Sequence, residues 1–112
     1  MKDKLTILWT NDDPTTAELM VFMYARNAIK QNWWKEVDLI IWGATAKLVG
    51  ENTDIQKAIK AVQESGVKVR ACRACAQELG VSKVLESLDI EVEYMGLPLT
   101  QALKGDGEVL SI

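Results

Sequence analysis

An α/β fold is predicted: three layers, α/β/α, around a mostly parallel five-stranded sheet. Two observations predict it. Strand-like and helix-like segments alternate along the chain, with no linker and no low-complexity stretch. The strand-like segments are near-continuous runs of Val, Ile and Leu, the composition of strands buried on both faces beneath crossover helices. A length of 112 residues at 48 % hydrophobic content fits one domain, expected over 1–112, with enough apolar surface for a core.

Taken in order, 4–10 (KLTILWT) is a short apolar strand. The stretch 11–16 (NDDPTT) is a turn and helix start, where Pro14 suits the first turn and Asp13 or Thr15 is the cap. A helix follows over 17–31, and 36–43 (EVDLIIWG) is a second buried strand ending in glycine. The segment 52–65 is amphipathic, with Ile55, Ala58, Ile59 and Val62 on one face, and Gly66 closes it. A third strand spans 67–71. Short helices follow over 73–79, stopped by Gly80, and over 82–88, with Ser82 as cap. The chain ends in a strand over 90–95, a helix over 99–104 and an edge strand over 108–112. The pattern is that of a flavodoxin-like sheet.

In such sheets ligands bind beyond the carboxyl ends of the strands. That edge is expected to carry 10–13, 42–45, 72–75 and 95–97. Asn11 and Asp12 offer polar contacts there, beside their role in the turn. Trp9 and Trp42 both fall near strand ends, and each is either core packing or a wall of the site. The helix 17–31 carries an unbroken apolar run from Leu19 to Ala25, a girdle rather than a stripe. Its second face meets either another subunit or the rest of its own chain.

The richest segment is 67–81, VKVRACRACAQELGV. It holds the only two cysteines, Cys72 and Cys75, at C-x-x-C spacing where a strand runs into a helix. A thiol at a helix start feels free backbone N–H groups and the positive end of the dipole, which favour its thiolate. Arg70 and Arg73 flank Cys72 and are expected to act in the same direction. The thiolate is the reactive form, and an unperturbed thiol is only about 3 % ionised at pH 7. Cys72, at the strand end, is the expected nucleophile. Cys75 lies one turn inside, where the amides are drawn into helical bonding.

The rest of the composition excludes function classes. With no histidine there is no Ser–His–Asp or Cys–His machinery and no His-ligated metal. Two cysteines are half a zinc site, so no metal and no cofactor is expected. A net charge of −3 with no Lys/Arg stripe argues against direct nucleic-acid binding. The first apolar run, 5–9, is too short for a signal peptide, and no stretch approaches the ~20 apolar residues of a membrane span. A cytoplasmic location is expected, where C-x-x-C is catalytic or metal-binding more often than a structural disulfide.

The sequence resembles the DsrE/DsrF family, which includes the TusD-type sulfur-relay proteins, over nearly the whole chain. The resemblance rests on three pieces: the opening strand followed by NDDPTTAE and an Ala-rich helix; VKVRAC ending at Cys72, with Gly80-Val81 beyond; and IEVEYMG ending at Gly96, with Leu99-Thr100 and a last short strand. It implies a DsrEFH-like α/β subunit assembled into a homo-trimer or homo-hexamer. It also implies that Cys72 accepts sulfane sulfur as a persulfide, with sulfur donor and acceptor proteins as partners, in tRNA thiolation or sulfur-compound oxidation. Cys75 departs from the simplest members and leaves room for redox chemistry. Two other readings stand beside the sulfur carrier: a C-x-x-C thiol–disulfide redox protein, and a small-molecule or partner-binding module with inert cysteines.

Overall fold

The computed structural model describes residues 2–112. Five strands pair in the order β4-β3-β2-β1-β5: β1 Lys4–Trp9, β2 Glu36–Ile41, β3 Lys68–Cys72, β4 Glu91–Glu93 and β5 Glu108–Ser111. Every pairing is parallel, including the edge strand β5 on β1 (Leu5 opposite Glu108, Leu8 opposite Ser111). The helices are α1 Pro14–Thr16, continued by a π-helical segment Ala17–Phe22 into α2 Met23–Lys30; then α3 Ala44–Glu51, α4 Thr53–Glu64, α5 Arg73–Glu78, α6 Ser82–Ser87 and α7 Gly96–Lys104.

The strand order dictates where the helices lie. The steps β1 to β2, β2 to β3 and β3 to β4 all move to the next strand in the same direction. Right-handed crossovers therefore put α1–α6 on one face. The return from β4 to β5 runs the opposite way across the sheet and puts α7 on the other face. Period-two alternation sorts the strand residues accordingly. Leu5, Ile7, Trp9, Val37, Leu39, Ile41, Val69, Ala71 and Val92 face the six helices and form the main core with Val21, Phe22, Ile55, Ile59, Val62 and Leu85. Leu8, Ile40 and Cys72 face the other way, where Met95 joins Ile40 and Cys72 in a second, smaller core. The predicted three layers are present, the third being α7 alone.

The same face carries a charged ladder that runs from the start of β1 to Glu93, which lies in register with Cys72. Asp38, its side chain 5 % exposed, accepts from Arg70 Nη2 at 2.8 Å and pairs with Lys4 Nζ at 3.1 Å. Arg70 Nη1 donates to Glu93 Oε1 at 3.0 Å. These four side chains bridge β1, β2, β3 and β4 with one ladder of alternating charge.

Local expectations divide. Asp13 caps the first helix, its Oδ2 accepting from Thr16 N–H and from the Thr16 hydroxyl, and the backbone bond first and then the hydroxyl hold its carboxyl below the usual range. Thr15 does not serve as the cap. Ser82 is not a cap either: Val81 holds that position, and the Ser82 hydroxyl is buried without a partner. The helix α3 falls where no element was expected: Gly43 precedes it, and Gly50 lies inside its last turn, where glycine weakens the helical pattern. The helix α7 starts at Gly96, three residues earlier than the patterning suggests, and β4 is only Glu91–Glu93. Met95 leaves the strand for the small core instead.

The apolar girdle resolves into two faces. Val21, Phe22 and Ala25 are buried, whereas Leu19, Met20 and Met23 are exposed, Leu19 at 63 %. The π segment widens the turn there and alters the 3.6-residue spacing that sequence patterning assumes. Among the described residues, no helix is long and apolar enough to cross a membrane.

Candidate thiol site

The connection leaving β3 passes to α5 on the six-helix face, and the connection leaving β4 passes to α7 on the opposite face. Adjacent strands whose exits diverge leave a crevice at their carboxyl ends. Cys72 is the last residue of β3 and the N-cap of α5, so it stands where these exits diverge. Its side chain packs against Ile40 and Met95 and the residue is 4 % exposed. Its sulfur caps none of the α5 N–H groups.

Cys75, half-buried, lies one helical turn on and packs against the same cluster. Both cysteines are free thiols. The Gly43 N–H donates to Cys75 Sγ at 3.4 Å. Burial pushes the Cys75 thiol above its ordinary value, the Gly43 N–H opposes that, and the hydrogen bond and charge of Cys72 push it further up. Cys75 is therefore ionised less readily than an ordinary thiol.

Trp42 leans on the same cluster as the cysteines and walls the site. Trp9 takes the core role: it is fully buried, edge-on to Phe22 with ring centroids 5.1 Å apart, and its Nε1 donates to Asn11 O. The structure thus brings Cys72, Cys75 and Trp42 together. The other sequence candidates turn elsewhere. The Arg70 guanidinium is taken up by Asp38 and Glu93. Arg73 Nη2 donates to the Val92 carbonyl at 2.9 Å, and its guanidinium lies 5.6 Å from the Tyr94 ring centroid, so it braces the β4 exit. Asn11 Oδ1 accepts from Asp13 N–H in the turn. Asp12 lines a separate cleft of about 520 Å³ beside α3, with Lys47 and Glu51. Among the described residues no cluster of three or more Cys, Asp or Glu could hold a metal ion.

Gly43, Met95 and Thr45 fall within the edge segments that the sequence marks but were not singled out. Gly43 adopts φ +69°, a backbone that favours glycine, and this conformation aims its N–H at Cys75. A glycine two residues beyond a buried strand is the signal that points to it.

Over residues 3–111 the chain matches the DsrE/DsrF-like family. The chain belongs to that family. This DsrE/DsrF-like chain is 44 % identical to a conserved protein of unknown function, BT1422 from Bacteroides thetaiotaomicron, with TM-score 0.95 over 98 % of this chain and 95 % of that one. It shares its fold with the ychN protein from E. coli at TM-score 0.74 and 16 % identity, with all of both chains covered. No curated protein matches it in sequence.

Proposed function

We propose that this DsrE/DsrF-like protein is a sulfur carrier that accepts sulfane sulfur on Cys72 as a persulfide and passes it to a partner protein. The observation that carries the reading is the place of Cys72: at the carboxyl end of β3, where the strand exits diverge, with a second thiol one turn away. In the loading step the Cys72 thiolate attacks the outer sulfur of a persulfide or polysulfide. A new S–S bond forms at Cys72 as the donor's S–S bond breaks, and the donor leaves as a thiolate. Delivery runs the same exchange with the acceptor's thiolate attacking the outer sulfur and Cys72 leaving. No external oxidant or reductant enters either step. A cytoplasmic setting, which keeps thiols reduced, suits this chemistry. Sulfur loading read by mass spectrometry is the test, and its outcomes open the Discussion.

The adjacency of the two thiols favours a second reading, a thiol–disulfide exchanger. Cys75 attacking the inner sulfur of a Cys72 persulfide would close a Cys72–Cys75 disulfide and release hydrosulfide. Oxidation of the free dithiol with a small disulfide should likewise cost the chain two hydrogens in mass, and a dithiol reductant should restore them. The closed loop is short and restricts the unfolded chain little, so the bond should reduce readily. If the oxidised form never appears, Cys75 takes no covalent part and the one-cysteine relay stands.

We also propose a homo-oligomer, trimeric or hexameric as the family resemblance implies, built on the exposed Leu19, Met20 and Met23. Light scattering should give a multiple of 12.5 kDa for the parent protein and a smaller species for Leu19→Asp or Met23→Asp. A 12.5 kDa monomer at micromolar concentration would refute the assembly. Phe22 is unsuitable for this test because it is buried against Trp9, and a charge there unfolds the chain.

A further inference from the structure

Among the described residues, Thr45 is one of three buried polar or charged residues, and it is fully inaccessible. Its hydroxyl lies 2.8 Å from the Trp9 carbonyl and 3.1 Å from the Trp42 carbonyl, the two acceptors open to its single proton. The same oxygen accepts from the Trp42 N–H at 3.1 Å. One side chain thereby joins the carboxyl ends of β1 and β2 just before Gly43, the residue whose N–H meets the Cys75 sulfur. No side chain caps α3; Thr45, in its first turn, joins the sheet through these contacts, beside the backbone bond from the Trp42 N–H to the Trp9 carbonyl at 3.3 Å.

We propose that Thr45 is a positioning residue of the thiol site: its hydroxyl holds the Trp42–Gly43 peptide so that the Gly43 N–H stays on the Cys75 sulfur. Thr45 touches neither thiol and acts through the backbone. The consequence is selective. The Gly43 N–H is the main group opposing the effect of burial on Cys75, and Cys72 is the titratable group that acts on it. The other neighbours in the cluster, Leu8, Ile40, Trp42 and Met95, carry no charge. Releasing the peptide removes a donor that favours the Cys75 thiolate. This inference deepens the sulfur-carrier reading by assigning what controls the second thiol, and its test does not depend on sulfur loading.

The experiment follows iodoacetamide alkylation of Cys75 against pH in a Cys72→Ser background. Adding Thr45→Val, which keeps the shape and removes the hydroxyl, should move the labelling curve to higher pH. A lost hydrogen bond to an ionised sulfur corresponds to about one pH unit, or roughly tenfold slower labelling at a pH below the midpoint. Thr45→Ser keeps the hydroxyl and should return the curve to the parent position. A merely structural role would change the amount of folded protein and leave the midpoint in place. An unmoved midpoint with Thr45→Val, or a Thr45→Ser curve that coincides with it, overturns the proposal. Nuclear magnetic resonance of the Cys72→Ser protein with Thr45 intact keeps the test open if the valine variant does not fold. The Gly43 amide proton should shift with the Cys75 titration, and a Gly43 signal indifferent to it refutes the contact on which the proposal rests. If both results hold while the parent protein takes up no sulfur, the carrier reading fails and the positioning role remains.

Discussion

Incubated with polysulfide or a persulfide-loaded donor protein, the wild-type chain is expected to gain one sulfur atom in mass, removable with dithiothreitol, and Cys72→Ser to gain none. Cys75→Ser should still load, and should hold the sulfur longer because no second thiol is present to expel it. The contrast follows from the site. Burial raises the Cys75 thiol above its ordinary value, so it ionises less readily than an ordinary thiol, and a protonated thiol is a poor nucleophile. Cys72 stands at the diverging exits of β3 and β4. Its low exposure, 4 %, adds a size dependence: small polysulfides should load faster than a bulky maleimide reacts. Loading of Cys72→Ser at the wild-type level would transfer the assignment to Cys75. Failure of every variant to load would favour a binding module with inert cysteines.

Arg70→Ala is expected to destabilise the fold by about 3 kcal/mol, because it leaves a buried carboxylate with one of its two cationic partners gone. Asp38 is 5 % exposed at its side chain, and the remaining partner, Lys4, is a 45 % exposed lysine. Urea unfolding reads the effect as a lower midpoint with little change in slope. Replacing the pair together, Arg70→Met with Asp38→Leu, should recover much of the loss, since it removes the buried charges as well as their attraction. The rate of Cys72 alkylation at fixed pH should stay at the parent value in folded Arg70→Ala, because Asp38 and Glu93 already neutralise the guanidinium. A large fall in that rate would restore Arg70 to the thiol site as a thiolate stabiliser, the role its sequence position suggests.

Arg70 and Arg73 show why part of the site was not legible. Both flank Cys72 in the chain, and flanking charge was read as charge felt by the thiol. In the fold, the acceptors that claim these guanidinium groups come from β2 and β4, more than 18 residues away in each case: Asp38 and Glu93 for Arg70, the Val92 carbonyl for Arg73. Asn11 and Asp12 show the converse. They do lie after β1, but the turn consumes Asn11, and Asp12 faces a cleft beside α3, a helix that the linear pattern did not mark. Ser82 has the residue type of a cap without its geometry. Trp42 beside the thiols was one of two alternatives in the sequence, and burial of Trp9 decided between them.

What the sequence by itself determined is what local pattern encodes: an α/β fold, five strands in sequence order, the edge position of the last one, and a C-x-x-C pair where β3 passes into a helix. Period-two and period-3.6 hydrophobicity, Pro and Gly punctuation, and the spacing of two thiols are all properties of neighbouring residues, so a linear reading recovers them. Only the tertiary structure decided the sheet order, the single helix on the second face, the charge ladder from Lys4 to Glu93, and the Thr45–Gly43 link to Cys75. Each of these joins groups from different strands. Such partners are chosen by packing and by the need of buried polar groups for hydrogen bonds, which no local stretch of the chain specifies.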